Sequence, residues 1–208
     1  GSNLAGADLS ETCLCNTDFT DAVLRDATLR DASGLRTGAM RPVIMERADL
    51  TGADARGVDL ARGRLAGAIF DRAVLTEASL HKSDLRGAHF ASASMAGANL
   101  RHAELADADL SGARLDAADL FGVRARGARF TGAHCHRANM GEAVLDGADL
   151  TGADLTDVDL GRAVLRGSQL RGATLRGADL DGVFFEGTDV GGVDFTGSHN
   201  RPLQPLTP

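Results

Sequence analysis

Large hydrophobic residues recur at every fifth position along most of the chain. From Leu50 to Phe195 this position occurs thirty times and holds Leu, Phe or Met twenty-six times. We name it the central position of each pentapeptide. The four exceptions are Ala55, Ala125, Cys135 and Val190. Two residues earlier, Ala occurs twenty-one times in thirty, and neither position carries a charge. The pattern predicts two inward-facing and three outward-facing positions in each pentapeptide.

A period of five fits neither regular element. A strand alternates every two residues and a helix repeats every 3.6, so five residues indicate a short extended piece followed by a turn. Two residues after the central position, Gly occurs eighteen times in thirty. This is where a type II turn needs a positive φ.

The triplets Ala98-Asn99-Leu100, Ala108-Asp109-Leu110 and Ala178-Asp179-Leu180 resemble the A(D/N)LXX signature of the pentapeptide-repeat family. The resemblance implies an all-β fold, a right-handed quadrilateral β-helix with four pentapeptides in each coil. With the spacing of adjacent strands, about ten coils would make a rod roughly 47 Å long. We expect a single domain over residues 3–199, an irregular Pro-containing tail at 200–208, and a tag remnant at 1–2.

The pentapeptide register breaks near residues 31–47. Central residues from Leu4 to Leu29 lie one residue out of register with those after Leu35, which predicts one inserted residue near 31–34. Two interpretations stay open. In the first, three degenerate pentapeptides centred on Leu35, Met40 and Met45 continue the wall. In the second, a loop projects around Arg36 to Arg47, since Pro42 lacks a ladder donor and three arginines cluster there. Its candidate partner contacts are Arg36, Arg41 and Arg47.

Composition and charge argue against nucleic acid and membranes as ligands. The formal net charge is −7, so no basic field is available for a nucleic-acid backbone. No apolar run approaches the length that spans a bilayer, and we expect no membrane contact. Three cysteines do not make a disulfide framework, which predicts a reducing cytoplasm.

The predicted interior is filled by side chains and offers no cavity for a substrate, so we expect no enzyme and no cofactor. Cys13 and Cys15 are predicted to point outward on either side of Leu14, but no second Cys or His pair completes a metal site. Cys135 is predicted to be an inert core residue.

The repeat brings basic residues together in two places and leaves apolar residues at one end of the rod. His81, Lys82, Arg101 and His102 meet on one wall, and Arg124, Arg126 and Arg129 form a second group. At the C-terminal end, Phe184 falls in an outward position. An uncapped stack exposes apolar column ends. We therefore expect a homodimer through one end, with the C-terminal end favoured. The candidate interface is Phe184, Phe185, Val190, Val193 and Phe195.

The family resemblance also suggests a partner. Qnr-type quinolone-resistance proteins of this family are rods that imitate DNA and bind type II topoisomerases, so a DNA gyrase contact is one hypothesis. Its candidate surface is an acidic patch of Asp154, Asp157, Asp159, Asp179, Asp181 and Asp194. Asp before the central position is also the consensus of the repeat and supports turns locally. The alternative is a structural scaffold or effector interaction module with an unrelated protein partner.

Overall fold

The structure, a computed structural model, describes residues 1–33 and 42–200, which form a four-sided β-helix. Over these residues the regular pairing consists of isolated parallel β-bridges, one in each pentapeptide, without longer strands or helices. A bridging residue pairs with the residue twenty positions later, as Asp49 does with Ile69. Each coil therefore holds four pentapeptides.

The bridging residues form four columns, which we name walls. Wall 1 runs from Asn3 to Asp189, wall 2 from Asp8 to Asp194, wall 3 from Cys13 to His199, and wall 4 from Asp18 to Phe184. Corner 3/4 is the set of turn residues that lead from wall 3 into wall 4, such as His81 and Lys82. On one wall, outward side chains that lie twenty residues apart are neighbours in successive coils.

Backbone hydrogen bonds join each coil to the next. The N–H of Leu50 donates to the Ile69 carbonyl at 2.7 Å, and the N–H of Ile69 donates back to the Ala48 carbonyl at 2.9 Å. Each turn is closed by a further bond, such as the N–H of Ala53 to the Leu50 carbonyl at 3.0 Å. The third residue of that turn, Gly52, has φ of 71°, as a type II turn requires.

The core confirms the two predicted inward positions. Central residues from Leu24 to Leu180 are fully buried in the described part of the chain, together with the small residues two positions before them. Phe70 and Phe90 stack on wall 1 with ring centroids 5.0 Å apart. Each buried Leu or Phe contributes about 1.5–3 kcal/mol. Where Ser83 replaces the usual Ala, its hydroxyl donates to the Leu80 carbonyl at 2.6 Å, so no polar group is left unpaired.

The register break is an insertion of six residues, not one. Cys13 pairs with Ser33, but Asp18, five residues after Cys13, pairs with Ile44. Ser33 and Ile44 are therefore consecutive bridging residues that lie eleven positions apart instead of five. The interpretation with three degenerate pentapeptides is wrong, because centres at Leu35 and Met40 require two bridging residues between Thr28 and Ile44, and the pairing of Cys13 and Asp18 leaves room for one, Ser33. Met45 and Val43 are buried as predicted.

The candidate loop residues separate into two groups. Arg36 and Arg41 lie outside the described residues, as do Leu35 and Met40. Arg47 belongs to the coil, where it occupies a turn position with φ of 54°. Its guanidinium donates to both carboxylate oxygens of Asp21, at 2.7 and 3.0 Å. Its assignment to a projecting loop is therefore wrong.

Cysteine chemistry differs from the prediction near the N-terminus. Cys13 and Cys15 are joined by a disulfide, and Cys15 is buried although it was expected to point outward. The sulfur–sulfur bond holds Cys15 against the coil, and the two thiolates needed for half a metal site do not exist in this form. Cys135 is fully buried on wall 2, as predicted.

Candidate functional site

The outside of the rod carries the candidate chemistry, because the inside is packed. Within residues 1–33 and 42–200, no group of three or more His, Cys, Asp or Glu side chains is arranged to hold a metal ion. No helix in that part of the chain is long and apolar enough to cross a membrane. A shallow depression lies between Glu104, Arg124 and Arg126, but its charges are already matched.

Most aspartates on the walls have a structural role. The carboxylate of Asp109 accepts a hydrogen bond from the N–H of Ser111 at 3.0 Å, which ties the wall to the following turn. Asp49, Asp149 and Asn99 do the same for the residues two positions later. This is the local turn support that the repeat consensus predicts.

Arginines neutralise many of these carboxylates. In the described residues, every arginine except Arg62 and Arg72 has a carboxylate within 4.0 Å. The second basic cluster is fully paired, since Arg124 contacts Glu104, Arg126 contacts Asp146 and Arg129 contacts Asp109. Exposed pairs of this kind add little stability, about 0–1 kcal/mol each. They nevertheless leave a surface with little net field over most of the rod.

The structure places the predicted acidic patch on two adjoining walls near the C-terminal end. Asp154 and Asp194 lie on wall 2, and Asp159 and Asp179 lie on wall 3. Asp157 and Asp181 occupy turn positions at the corners that follow these walls.

The six carboxylates of the patch are not equally available. Asp157 is 3.8 Å from Arg137, and Asp194 is 3.9 Å from Arg176. The other four, Asp154, Asp159, Asp179 and Asp181, have no arginine or lysine within 4.0 Å in the described part of the chain. These four carry the negative field of the patch.

Local hydrogen bonds hold the carboxylates of Asp154 and Asp179 in place. Burial opposes the charge of Asp154, but bonds from the hydroxyl and N–H of Thr156, at 2.6 and 3.0 Å, outweigh it and hold the pKa of this carboxyl below its ordinary value. Asp179 accepts the N–H of Asp181 at 3.1 Å and the side-chain amide of Asn200 at 3.0 Å. The patch is thus charged and held in a fixed position.

The predicted end interface is partly apolar and partly covered. Phe184 is 49% exposed, with the Arg166 guanidinium 5.4 Å from its ring centroid. Phe185, Val193 and Phe195 pack against the core while remaining partly exposed, and Val190 is also half-buried. Central residues inside the stack are fully buried, so the last coil is the less covered one.

A basic and aromatic cluster on corner 3/4 is more extensive than the sequence indicated. Phe121 lies between Arg101, whose guanidinium is 4.5 Å from the ring centroid, and Gly141, whose α-carbon the ring covers. His102 meets the same ring edge-on at 5.7 Å. Neither Phe121 nor Arg62 was recognised in the sequence. Their spacing of twenty residues from Arg101 and Lys82 was the signal that could have found them.

The comparisons with known proteins concern the whole rod. The family model for pentapeptide repeats matches in eight copies, over residues 2–33, 56–90, 83–122, 126–162 and 159–197. No curated protein matches the chain.

Three solved structures illustrate the likeness. Full-length QnrB1, described as a plasmid-mediated fluoroquinolone resistance protein, is 17% identical and aligns with 95% of this chain and 91% of its own, at a TM-score of 0.70. A trypsin-treated variant of QnrB1 is 19% identical and aligns with 93% of this chain and 92% of its own, at a TM-score of 0.72. The third is HetL, a pentapeptide repeat protein involved in heterocyst differentiation regulation in the cyanobacterium Nostoc. It is 29% identical and aligns with 95% of this chain and 86% of its own, at a TM-score of 0.43. At these identities, the likeness to QnrB1 concerns the fold.

Proposed function

The chain belongs to the pentapeptide-repeat family, and from that premise we propose that it is a non-catalytic rod that binds DNA gyrase by imitating DNA. In this role it would protect the topoisomerase from quinolone-type poisons. The contact surface is the acidic patch on walls 2 and 3. The observation that carries the proposal is the set of four carboxylates, Asp154, Asp159, Asp179 and Asp181, that no arginine or lysine neutralises among the described residues.

The geometry of the patch supports an electrostatic contact. Asp159 and Asp179 are consecutive bridging residues on wall 3, so their α-carbons lie about 4.8 Å apart. Duplex DNA carries one charge per about 1.7 Å, which the full rod with a net charge of −7 does not approach. The imitation is therefore local, and the likeness to the QnrB1 fold supports it as an analogy of shape.

A scaffold function with an unrelated protein partner is the second candidate. The pairing of arginines with carboxylates along the rod favours it, since a surface of matched charges suits a mixed protein interface better than a DNA-binding groove. The two candidates differ in one prediction, because only the first requires an effect on gyrase.

The proposal includes finer expectations for the molecule. We take the coils to wind right-handed and to number about ten, as the family resemblance implies. We take the protein to act in the cytoplasm, without direct contact to nucleic acid. The exposed Phe184 beside Phe185 supports an end-to-end homodimer.

A supercoiling assay with purified gyrase tests the proposed partner. The protein is titrated with and without a fluoroquinolone, beside the double variant Asp179→Arg/Asp181→Arg. We expect inhibition of supercoiling or relief of the drug effect, and at least about a tenfold higher concentration of the variant for the same effect, since two charges become repulsive.

The matched control is Glu77→Arg/Asp107→Arg, which changes the net charge equally at two turn positions that, within the described part of the chain, also have no arginine or lysine within 4.0 Å. It should act like the parent chain. Circular dichroism and thermal unfolding establish that both variants are folded. No effect of the parent protein at any concentration, or equal loss in both variants, would refute the gyrase contact and leave the scaffold function.

A further inference from the structure

Unpaired cations concentrate at one place on the described rod. Among residues 1–33 and 42–200, only Arg62, Arg72 and Lys82 of the arginines and lysines have no carboxylate within 4.0 Å. Arg62 and Lys82 occupy the same turn position in successive coils of corner 3/4, one coil spacing of about 4.8 Å apart. Like charges at adjacent positions repel, so this corner is unfavourable unless an anionic surface covers it.

The neighbouring side chains are held in position beside these cations. We define the basic cluster as Arg62, His81, Lys82, Arg101 and His102. The Arg101 guanidinium donates to Asp119 at 3.1 Å while it lies over the Phe121 ring. The His102 ring lies so close over Gly122 that a Cβ there would be 2.6 Å from Nδ1. Arg101 and His102 are thus prearranged, which lowers the entropy that these two side chains lose on binding.

The same side of the rod ends in carboxylates. Among the described residues, Asp159 and Asp179 on wall 3 and Asp181 on corner 3/4 have no arginine or lysine within 4.0 Å, and we name them the corner acids. Arg162, the cation in this region, is neutralised by Glu142 at 3.2 Å. On the basic side, Asp59 is an unpaired acid on wall 3, and Asp119 is paired with Arg101. The corner is therefore basic toward one end and acidic toward the other.

We propose that corner 3/4 binds the same corner of a second copy lying antiparallel beside it. His81 and Asp181 occupy equivalent turn positions exactly five twenty-residue coils apart, so the midpoint between them falls between Phe121 and Gly141. A twofold axis at this midpoint brings the coil of His81 and Lys82 over the coil of Asp181 in the other copy, and the coil of Arg101 over that of Asp159, while Arg62 lies one coil beyond Asp181. Both contacts form together, and the association closes at two chains.

The repeat distance favours this occupant over an extended peptide. The corner acids of a second copy follow the same coil spacing of about 4.8 Å as the basic cluster. Side chains on one face of an extended peptide repeat at roughly 6.7 Å and would lose register with the cations. Near the axis, Gly122, Gly141 and Gly161 alternate with the larger Phe121, Glu142 and Arg162 on this corner.

This lateral contact stands independently of gyrase binding, although it covers two residues of the acidic patch. Asp179 and Asp181 cannot face a topoisomerase and a second copy together. Self-association through corner 3/4 would therefore compete with any partner that uses these carboxylates.

Sedimentation velocity over a concentration series tests the lateral contact. At about 20 mM salt we expect a dimer, with an association constant at least about tenfold lower at about 500 mM salt, since exposed ion pairs are screened. In a Phe184→Asp background, which removes the end contact, Arg62→Glu/Lys82→Glu should give a monomer at low salt, and so should Asp179→Lys/Asp181→Lys. The combined fourfold variant restores opposite charges and should dimerise again.

Two further variants separate the alternatives, with circular dichroism to establish folding. Arg72→Glu removes the third unpaired cation of the described residues, which lies on a different corner, and should leave the dimer intact. Phe184→Asp should also leave the low-salt dimer intact. A parent chain that stays monomeric at low salt, a dimer that tolerates both charge reversals, or a fourfold variant that stays monomeric would overturn the proposal.

Discussion

At the scale of the residue, the wall aspartates serve the turn before they serve any partner. Asp109 shows the arrangement. Burial opposes its charge, but hydrogen bonds from the hydroxyl and N–H of Ser111 outweigh it, and the pKa of Asp109 lies below its ordinary value. An acidic composition thus follows from the repeat itself. The acids that no turn requires, such as Asp157 and Asp181, are the more informative ones for function.

Cys135 allows a prediction about alkaline pH. Complete burial is the main cause that raises the pKa of this thiol to about 12. The folded chain keeps the thiol neutral where the unfolded chain ionises it. Stability from this group is therefore complete below the unfolded value of about 8.5 and is lost as the pH rises toward 12. We expect the free energy of unfolding to fall by about 1.4 kcal/mol per pH unit in this window.

The chain offers an unusually clean background for that measurement, because it contains no Tyr and Lys82 is its one lysine. Chemical denaturation at pH 8, 9, 10 and 11 gives the slope. The control Cys135→Ala removes the titrating group and should unfold with a much flatter pH dependence. Equal slopes for the two chains would contradict the assignment of Cys135 to a dry core.

At the scale of the pentapeptide, the sequence predicted the arrangement well wherever the period was intact. Leu110 is buried and Asp109 faces outward because the same two constraints, a packed column and a turn, repeat every five residues. The prediction failed near Ser33 and Ile44, since an insertion of six shifts the register by one residue, as an insertion of one would. Corner contacts such as Phe121 against Arg101 were missed because they join residues twenty apart.

A pair of substitutions tests the inward and outward positions of one pentapeptide. Leu110→Asp puts a carboxylate into a closed apolar column and should lower the free energy of unfolding by about 3–5 kcal/mol. Asp109→Ser removes a partly exposed carboxylate, while a hydroxyl can still support the turn, and should cost about 1 kcal/mol or less. Thermal and urea unfolding of both variants gives the comparison. Similar losses would contradict the assignment of the two positions.

At the scale of the whole molecule, the described rod has two kinds of surface that a partner could cover. Among the described residues, the arginines and lysines without a carboxylate partner are Arg62, Arg72 and Lys82, two of them at corner 3/4, and the acidic patch holds four carboxylates without an arginine or lysine partner. At its C-terminal end, the last coil exposes apolar side chains that coils inside the stack bury completely, with Phe184 as the most exposed. The lateral contact depends on ions and the end contact on apolar burial. Salt therefore distinguishes them.

The end contact predicts association that persists when ion pairs are screened. At about 500 mM salt, burial of Phe184 against a second copy keeps its strength, because apolar burial does not depend on charge. Phe184→Asp should then weaken self-association at least about tenfold, which is the minimum expected from losing one buried Phe contact.

Sedimentation velocity at high salt measures the association constant of the parent chain and of Phe184→Asp. The matched control is Ile69→Asp, an outward apolar residue on wall 1 that is far from the end and from corner 3/4, which should associate like the parent chain. If Phe184→Asp sediments as the parent does, the rod end is not the interface.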